Sequence, residues 1–279
     1  HYTSKKFIKR NLENQCIFAT DAAFLNDSSE ILYAGRALQR HLKHLIGHIN
    51  LSPPQPGSDE RKHLSDLGQA EDWLAKFNNA EYYLEGSAWT VYDGATFVAC
   101  FTEQPDQLSQ WRGYGGRGYS IGFTREGLNQ LVVDDGKDTP AGDLIKVSYE
   151  DEGLEKLLQD VSDYFEARSH TPFNNLGDIM GYMLPRMAGV KHKAFEEEKE
   201  WRLAVSRYLE PPRGIDFREG NRLVPYLKLQ FDPSAVAFVY IGPGADIHDK
   251  RALRYFLARS GYNLDDVWIE HSNAPYRGG

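Results

Sequence analysis

The spacing of apolar residues along the chain changes period several times, and each change marks an element. Ile31, Ala34, Leu38, Leu42, Leu45 and Ile49 recur at steps of three and four, the signature of an amphipathic helix. Asp27, followed three places on by Glu30, reads as the capping box of that helix. A second helix is expected over about residues 64–83, after the Pro/Gly/Ser-rich loop "LSPPQPGSDE". Leu154, Leu157, Val161, Tyr164 and Phe165 give one face of a helix over 152–168. A further helical stretch is expected over 176–197, kinked by Pro185. A last helix is expected over 248–259, with Asp246 as its cap and Gly261 as its stop.

Between these lie short runs with strand character: "QCIFAT", "ATFVACFT", "YSIGF" at 119–123, "DLIKVSY" at 143–149, "EWRLAVS", "LVPYLKLQF", "AVAFVYIG" and "DVWIEHS". The order is not a regular alternation of strand and helix. Strands gather in the centre and toward the C-terminal end, with helical blocks between them. The expectation is an α+β fold: a single domain over 1–279 with a mixed or antiparallel β core and helical insertions at about 28–88 and 150–197.

Composition narrows the chemistry. The chain has 279 residues, 41% of them hydrophobic and 26% charged, enough to bury a core without metals or disulfides. The net charge of −8 argues against generic duplex binding, which wants a basic face. Cys16 and Cys100 stand alone, with no C-x-x-C and no H-E-x-x-H, so neither a disulfide framework nor a metal site is expected. His41, His44 and His48 follow helical spacing and read as a solvated face. No apolar run reaches the roughly 18 residues of a membrane span. No signal peptide is seen, and the cytoplasm is the default compartment.

Gly113, Gly115 and Gly118 spell G-x-G-x-x-G. A dinucleotide fingerprint needs a strand just before the first glycine and a helix just after the last. Here "EQPDQLSQWR" intervenes before it, and "YSIGF", a strand pattern, follows. No Gly-Lys-Ser/Thr makes it a P-loop. The glycines are expected to serve turning and close backbone approach.

The stretch "KHKAFEEEKEWRLAV" is the most suggestive for catalysis. A strand starting near Glu198 places Glu198, Glu200 and Arg202 on one face and Trp201, Leu203 and Val205 on the other. Two carboxylates so spaced reach one cleft, where one binds a sugar hydroxyl and the other handles a proton. The plain alternative is a solvated charge run at a helix end.

Taken in order, "HYTS" (1–4), "LNDSSE", "WRGYG…GYSIGF", "E-x-E-W-R" and the terminal Pro275, Tyr276 and Arg277 resemble a bacterial family described only as a domain of unknown function. The layout also looks like the ADP-ribosyltransferase fold. That resemblance implies that His1 holds the adenosine-side ribose of NAD and that Tyr2 and Thr3 lie where backbone holds the nicotinamide amide. It implies Tyr119 or Ser120 beside the nicotinamide ribose and ring, and Glu200 as the catalytic carboxylate. Glu198 would complete an E-x-E pair like that of arginine-modifying members. The chain departs from the pattern in having "GYSIGF" where one subgroup has Ser-Thr-Ser.

The implied activity is NAD-dependent ADP-ribosyl transfer or NAD hydrolysis, with a carboxylate stabilising an oxocarbenium-like ribose. Tyr119 would stack on the pyridinium, and Arg112 or Arg117 would meet the pyrophosphate. The implied partners are NAD, a macromolecular acceptor, and an antitoxin or chaperone if the protein is a toxin or phage-defence effector. Glu200→Gln is expected to leave folding intact and to remove activity. The rival expectations are a non-catalytic nucleotide or ADP-ribose binder and an RNA-directed enzyme.

Overall fold

The computed structural model describes residues 1–25, 29–51, 54–78, 94–136, 139–168, 176–208, 214–218 and 222–275. In chain order the strands are β1 (Tyr2–Thr3), β2 (Cys16–Asp21), β3 (Gly94–Thr102), β4 (Tyr119–Phe123), β5 (Val132–Val133), β6 (Thr139–Pro140), β7 (Asp143–Lys146), β8 (Ser148–Tyr149), β9 (Val190–Lys191), β10 (Glu200–Tyr208), β11 (Ile215–Arg218), β12 (Val224–Gln230), β13 (Val236–Ile241) and β14 (Trp268–His271). The main helices are α1 (Lys5–Glu13), α2 (Ser29–Asn50), α3 (Asp59–Phe77), α4 (Glu150–Ala167), α5 (Leu176–Met187) and α6 (Asp249–Arg259).

Two sheets form the centre. The smaller runs β1-β4-β13-β14; the larger runs β6-β5-β12-β2-β3-β10-β7, with β11 on β12. Pairing is antiparallel except for β13 with β14 and, apart from both sheets, β8 with β9. The mixed α+β architecture expected from the sequence is present.

Strand alternation sorts the core into two layers. Phe97, Leu203 and Leu227 on one face of the large sheet meet Ile121, Val239 and Ile269 of the small sheet, with Leu12 of α1 and Leu257 of α6 closing the cluster. The opposite face of β3 contributes Val98 to a second cluster. There Leu38 and Leu42 of α2, Leu74 of α3, Phe165 of α4 and Met183 of α5 converge. Each fully buried side chain of this size contributes roughly 1.5–3 kcal/mol through removal from water.

Three expectations need correction. The helix expected over 176–197 stops at Met187. Gly189 then allows a close approach, since a Cβ there would lie 2.8 Å from Ile145 Cγ2, and β9 pairs with β8. A 3₁₀ turn over Lys193–Glu198 follows, and Lys199 at φ 42° ends it. The strand therefore begins at Glu200, and Glu198 precedes it. Third, α1 was not among the expected elements, although Ile8 and Leu12 are core residues. Asp27, the Glu30 side chain, the chain from 79 to 93, Tyr276 and Arg277 lie outside what the structure describes.

Candidate active site

The site exists because two neighbouring strands part. β3 pairs with β10 along its whole length, from Gly94 to Thr102. On its other side β3 pairs with β2 only at Thr20–Val98 and Asp21–Phe97. β2 is meanwhile held by β12 from Cys16 to Thr20. Among the described residues no ladder joins the remaining halves of β2 and β3, and a cleft of about 620 Å³ opens there, lined also by β1 and α1.

Parting the strands leaves backbone polar groups in need of partners. His1 supplies one: its Nδ1 lies 3.0 Å from the carbonyl of Cys100. A carbonyl only accepts, so Nδ1 carries a proton, and in the neutral ring Nε2 is then the acceptor at the cleft. The His1 backbone exchanges two hydrogen bonds of 2.9 Å with Ile121, which fixes the ring's origin on the small sheet. Tyr2 is pinned as well. Its hydroxyl donates to Gln104 O at 2.9 Å and accepts from Gln107 N at 2.8 Å, and burial raises its pKa to about 12.

Glu200, Arg202 and Cys100 share one face of the paired β3 and β10, with Arg202 opposite Cys100 in register. Glu200 Oε1 accepts from Arg202 Nε at 2.8 Å; its Oε2 accepts from Arg202 Nη2 at 3.1 Å and from Lys191 Nζ at 2.8 Å. The Cys100 thiol belongs to the same buried group and helps to hold the Glu200 pKa down. A carboxylate offers about four lone-pair positions, and Arg202 and Lys191 occupy three of those of Glu200. Burial works to raise its pKa, but the Arg202 guanidinium, then Lys191, outweigh burial and hold it at about 2. The same surroundings push the Cys100 thiol up, through burial first and the Glu200 charge second.

Lys191 joins the two glutamates. Its Nζ donates to Glu198 Oε2 at 2.8 Å as well as to Glu200, and the pair of carboxylates raises its pKa against the opposing effect of burial. The glutamates thus converge through an ammonium contributed by β9 and not through the two-residue period of a strand. Glu198 Oε1 has no hydrogen-bond partner among the described residues, so Glu198 keeps more open acceptor capacity than Glu200.

Of the residues expected at the site, His1, Tyr2, Thr3, Glu198 and Glu200 line this cleft. Tyr119, Ser120, Arg112 and Arg117 do not. The reason is strand order: β1 is the edge strand of the small sheet, and β4 lies behind it. Tyr119 packs on the core between the sheets, and Ser120 is buried. Arg112 is exposed on a π-helical turn over Trp111–Gly115, and Arg117 lies near Gly244, in the turn after β13. In place of Tyr119, Tyr114 of that π turn reaches the cleft. Burial raises its pKa, helped by the Glu198 charge.

The glycine pattern has a packing explanation. A Cβ on Gly115 would lie 2.5 Å from the Trp111 ring, and one on Gly118 only 2.1 Å from Thr3 O. These glycines let the π turn and β4 close against β1.

Sequence reasoning also passed over α1. Thr3, Ser4, Phe7, Arg10 and Asn11 line the cleft at the three- and four-residue spacing of one helix face. That periodicity was available in the sequence; what the face looks at was not.

The fold and cleft define an α+β protein with a charged, ligand-sized cleft between two parted strands. A family model described as "Protein of unknown function (DUF2971)" matches residues 110–203, from the π turn through the first half of β10. It takes in Tyr114, Lys191, Glu198, Glu200 and Arg202, and leaves out His1 and α1. This agrees with the resemblance to a family described only as of unknown function. No curated protein and no solved structure matches the chain.

Proposed function

We propose that the cleft binds NAD and that the protein breaks its nicotinamide–ribose bond, passing ADP-ribose to a macromolecular acceptor or to water. The observation that carries the reading is two glutamates joined by Lys191 in the same cleft as His1, whose Nδ1 is held at the Cys100 carbonyl. In this reaction the C1′–N bond breaks and its electron pair goes to the pyridine nitrogen, leaving neutral nicotinamide. The ribose carbon becomes an oxocarbenium and takes a lone pair from the acceptor, whose proton goes to a base.

Glu200 supplies fixed negative charge beside the developing cation. Glu198, through its open Oε1, accepts from a ribose hydroxyl or takes the acceptor's proton. His1 Nε2 accepts from a hydroxyl of the other ribose. Tyr114 takes the place given to Tyr119 as the aromatic ring near the pyridinium. The layout supports an ADP-ribosyltransferase-like arrangement, and an effector role as toxin or phage-defence protein is the biological form such chemistry would take.

A second reading is favoured by one observation: Glu200 is held by three hydrogen bonds from the protein's own cations, Arg202 and Lys191. A carboxylate so engaged suits a module that binds NAD or ADP-ribose without cleaving it. The two separate on nicotinamide release from NAD, with and without cell lysate, beside the Glu198→Gln and Glu200→Gln variants. Release by the wild type, lowered about 100-fold or more in each folded variant, is the expected result. Tight NAD binding by the wild type with no release in either condition makes the protein a binder.

A further inference from the structure

The cleft has two chemically different ends. One holds the Glu198–Lys191–Glu200–Arg202 cluster, on β9, β10 and the 3₁₀ turn between them, in which every cation faces a carboxylate. The other is built by α1, β2, β11 and β12, and the two cations that line the cleft there, Arg10 and Arg218, form no ion pair among the described residues. Strands β10 and β12 are separated by β3 and β2, three strand spacings or roughly 14 Å. Among the described residues, four cations and two carboxylates line the cleft, in a chain of net charge −8.

We propose that Arg10 and Arg218 form a phosphate subsite of this cleft, for the phosphate esters of a nucleotide. Arg10 is partly buried and aimed by its neighbours. One guanidinium nitrogen donates to Tyr226 Oη at 2.6 Å, and the group lies 4.6 Å from the centre of the Phe18 ring. Tyr226 in turn donates to Asp216 Oδ2 at 2.9 Å, so the tyrosine holds the arginine by its lone pair while its own proton is tied elsewhere. This uses one of five guanidinium donors. No carboxylate lies in ion-pair distance of Arg10 or Arg218 among the described residues, and a half-buried cation without a counter-charge wants an anionic ligand.

A second, independent feature points the same way. Asn11 is only 1% exposed and lines this part of the cleft, yet its Oδ1 has no hydrogen-bond partner. Its Nδ2 makes one long contact of 3.5 Å with Thr3 Oγ1. Whichever way the amide is turned, one polar atom is buried and unpaired, a cost that a ligand hydroxyl or ring nitrogen removes. Arg10 and Asn11 are adjacent on α1, so one helix face presents a phosphate fork and an amide to the same ligand.

The proposal rests on the reading of the cleft as a nucleotide site, and not on bond cleavage. It moves the phosphate contacts from Arg112 and Arg117 to Arg10 and Arg218.

The test is calorimetric binding of ADP-ribose and of inorganic pyrophosphate to the wild type and to Arg10→Gln, Arg218→Gln and Arg112→Gln, with nicotinamide release followed in parallel. The subsite predicts that pyrophosphate competes with ADP-ribose. It also predicts that affinity for both falls at least tenfold in Arg10→Gln and Arg218→Gln and stays unchanged in Arg112→Gln. Unchanged affinity in both cleft variants overturns it, as does a wild type that binds neither probe. Arg218 is exposed, so Arg218→Gln decides the matter if Arg10→Gln does not fold. Arginine-dependent ADP-ribose binding without nicotinamide release would end the cleavage reading and leave the subsite standing. Release with wild-type KM in both arginine variants would do the reverse.

Discussion

At the residue scale, Glu200 is as much a structural group as a candidate catalytic one. The sequence suggested that Glu200→Gln would fold normally. Its surroundings predict a loss of stability instead, because neutralising Glu200 leaves Arg202 and Lys191 buried beside a single remaining carboxylate. Breaking one side of a buried ion pair typically costs about 3–5 kcal/mol. Urea unfolding should therefore show a loss of that order for Glu200→Gln and a clearly smaller one for Glu198→Gln, whose side chain is 12% exposed. The pH dependence follows the same logic. Glu200 is depressed from an ordinary 4.5 to about 2, so its stabilising contribution is present above pH 4.5 and is lost as pH falls toward 2.

Asp21 behaves in the opposite sense. Burial raises it from 3.8 to about 6, against the hydrogen bond it accepts from Ala23 N. Its contribution is fully present below pH 3.8 and is lost as pH rises through about 6. Asp21→Asn keeps the cap and removes the buried charge. It should stabilise the protein by about 1–3 kcal/mol at pH 7.5 and by little at pH 4. Melting temperatures of the two proteins at both pH values check this, and equal gains at both would refute the assignment.

At the element scale the decisive feature is the joint between β1 and β4. It is two residue pairs long, Tyr2–Ser120 and Thr3–Tyr119, extended by the His1–Ile121 hydrogen bonds. Gly118 makes it possible by letting Thr3 O and Ser4 Cα approach. Gly118→Ala forces that backbone apart. The expected result is a loss of at least about 2 kcal/mol by chemical denaturation, in the range of other substitutions that strain packed backbone. Ligand affinity should fall as well, because His1 and Tyr2 move with β1. Gly113→Ala, with open space around it, serves as the control. Element boundaries that the sequence misjudged have similar causes: β9 and the 3₁₀ turn after it are short pieces fixed by partners far along the chain. Local periodicity read them as one long helix.

At the scale of the whole molecule, β3 ties the two core layers together. Phe97 points into the cluster between the sheets and Val98 into the helical cluster on the other side. Trp111 is buried near the small sheet and Trp73 in the helical layer. Because both layers share the same strand, they should unfold together. Phe97→Ala is expected to cost about 3–5 kcal/mol and to shift the helical circular dichroism and the tryptophan fluorescence transitions equally. Two separated transitions would show that the helical layer is an independent unit.

The sequence by itself determined most of the long elements, the α+β class and the split of β10 into a charged face and a core face. Those follow from local periods of 2 and 3.6 residues, which are written into consecutive side chains. It also excluded a Rossmann turn at the glycines, since a strand pattern follows Gly118. Five of the nine expected site residues line the cleft, and they are the ones flanking the parted strands. Only the tertiary structure decided the rest. It put β1 in front of β4, which removed Tyr119 and Ser120 from the cleft and brought in Tyr114. It brought Lys191 between two glutamates, and it set Arg10 and Asn11 against β2 and β12. These placements depend on pairings between residues up to 216 positions apart, such as Arg10 with Tyr226. No local pattern encodes a contact of that separation, because its free energy comes from the partner that the fold delivers.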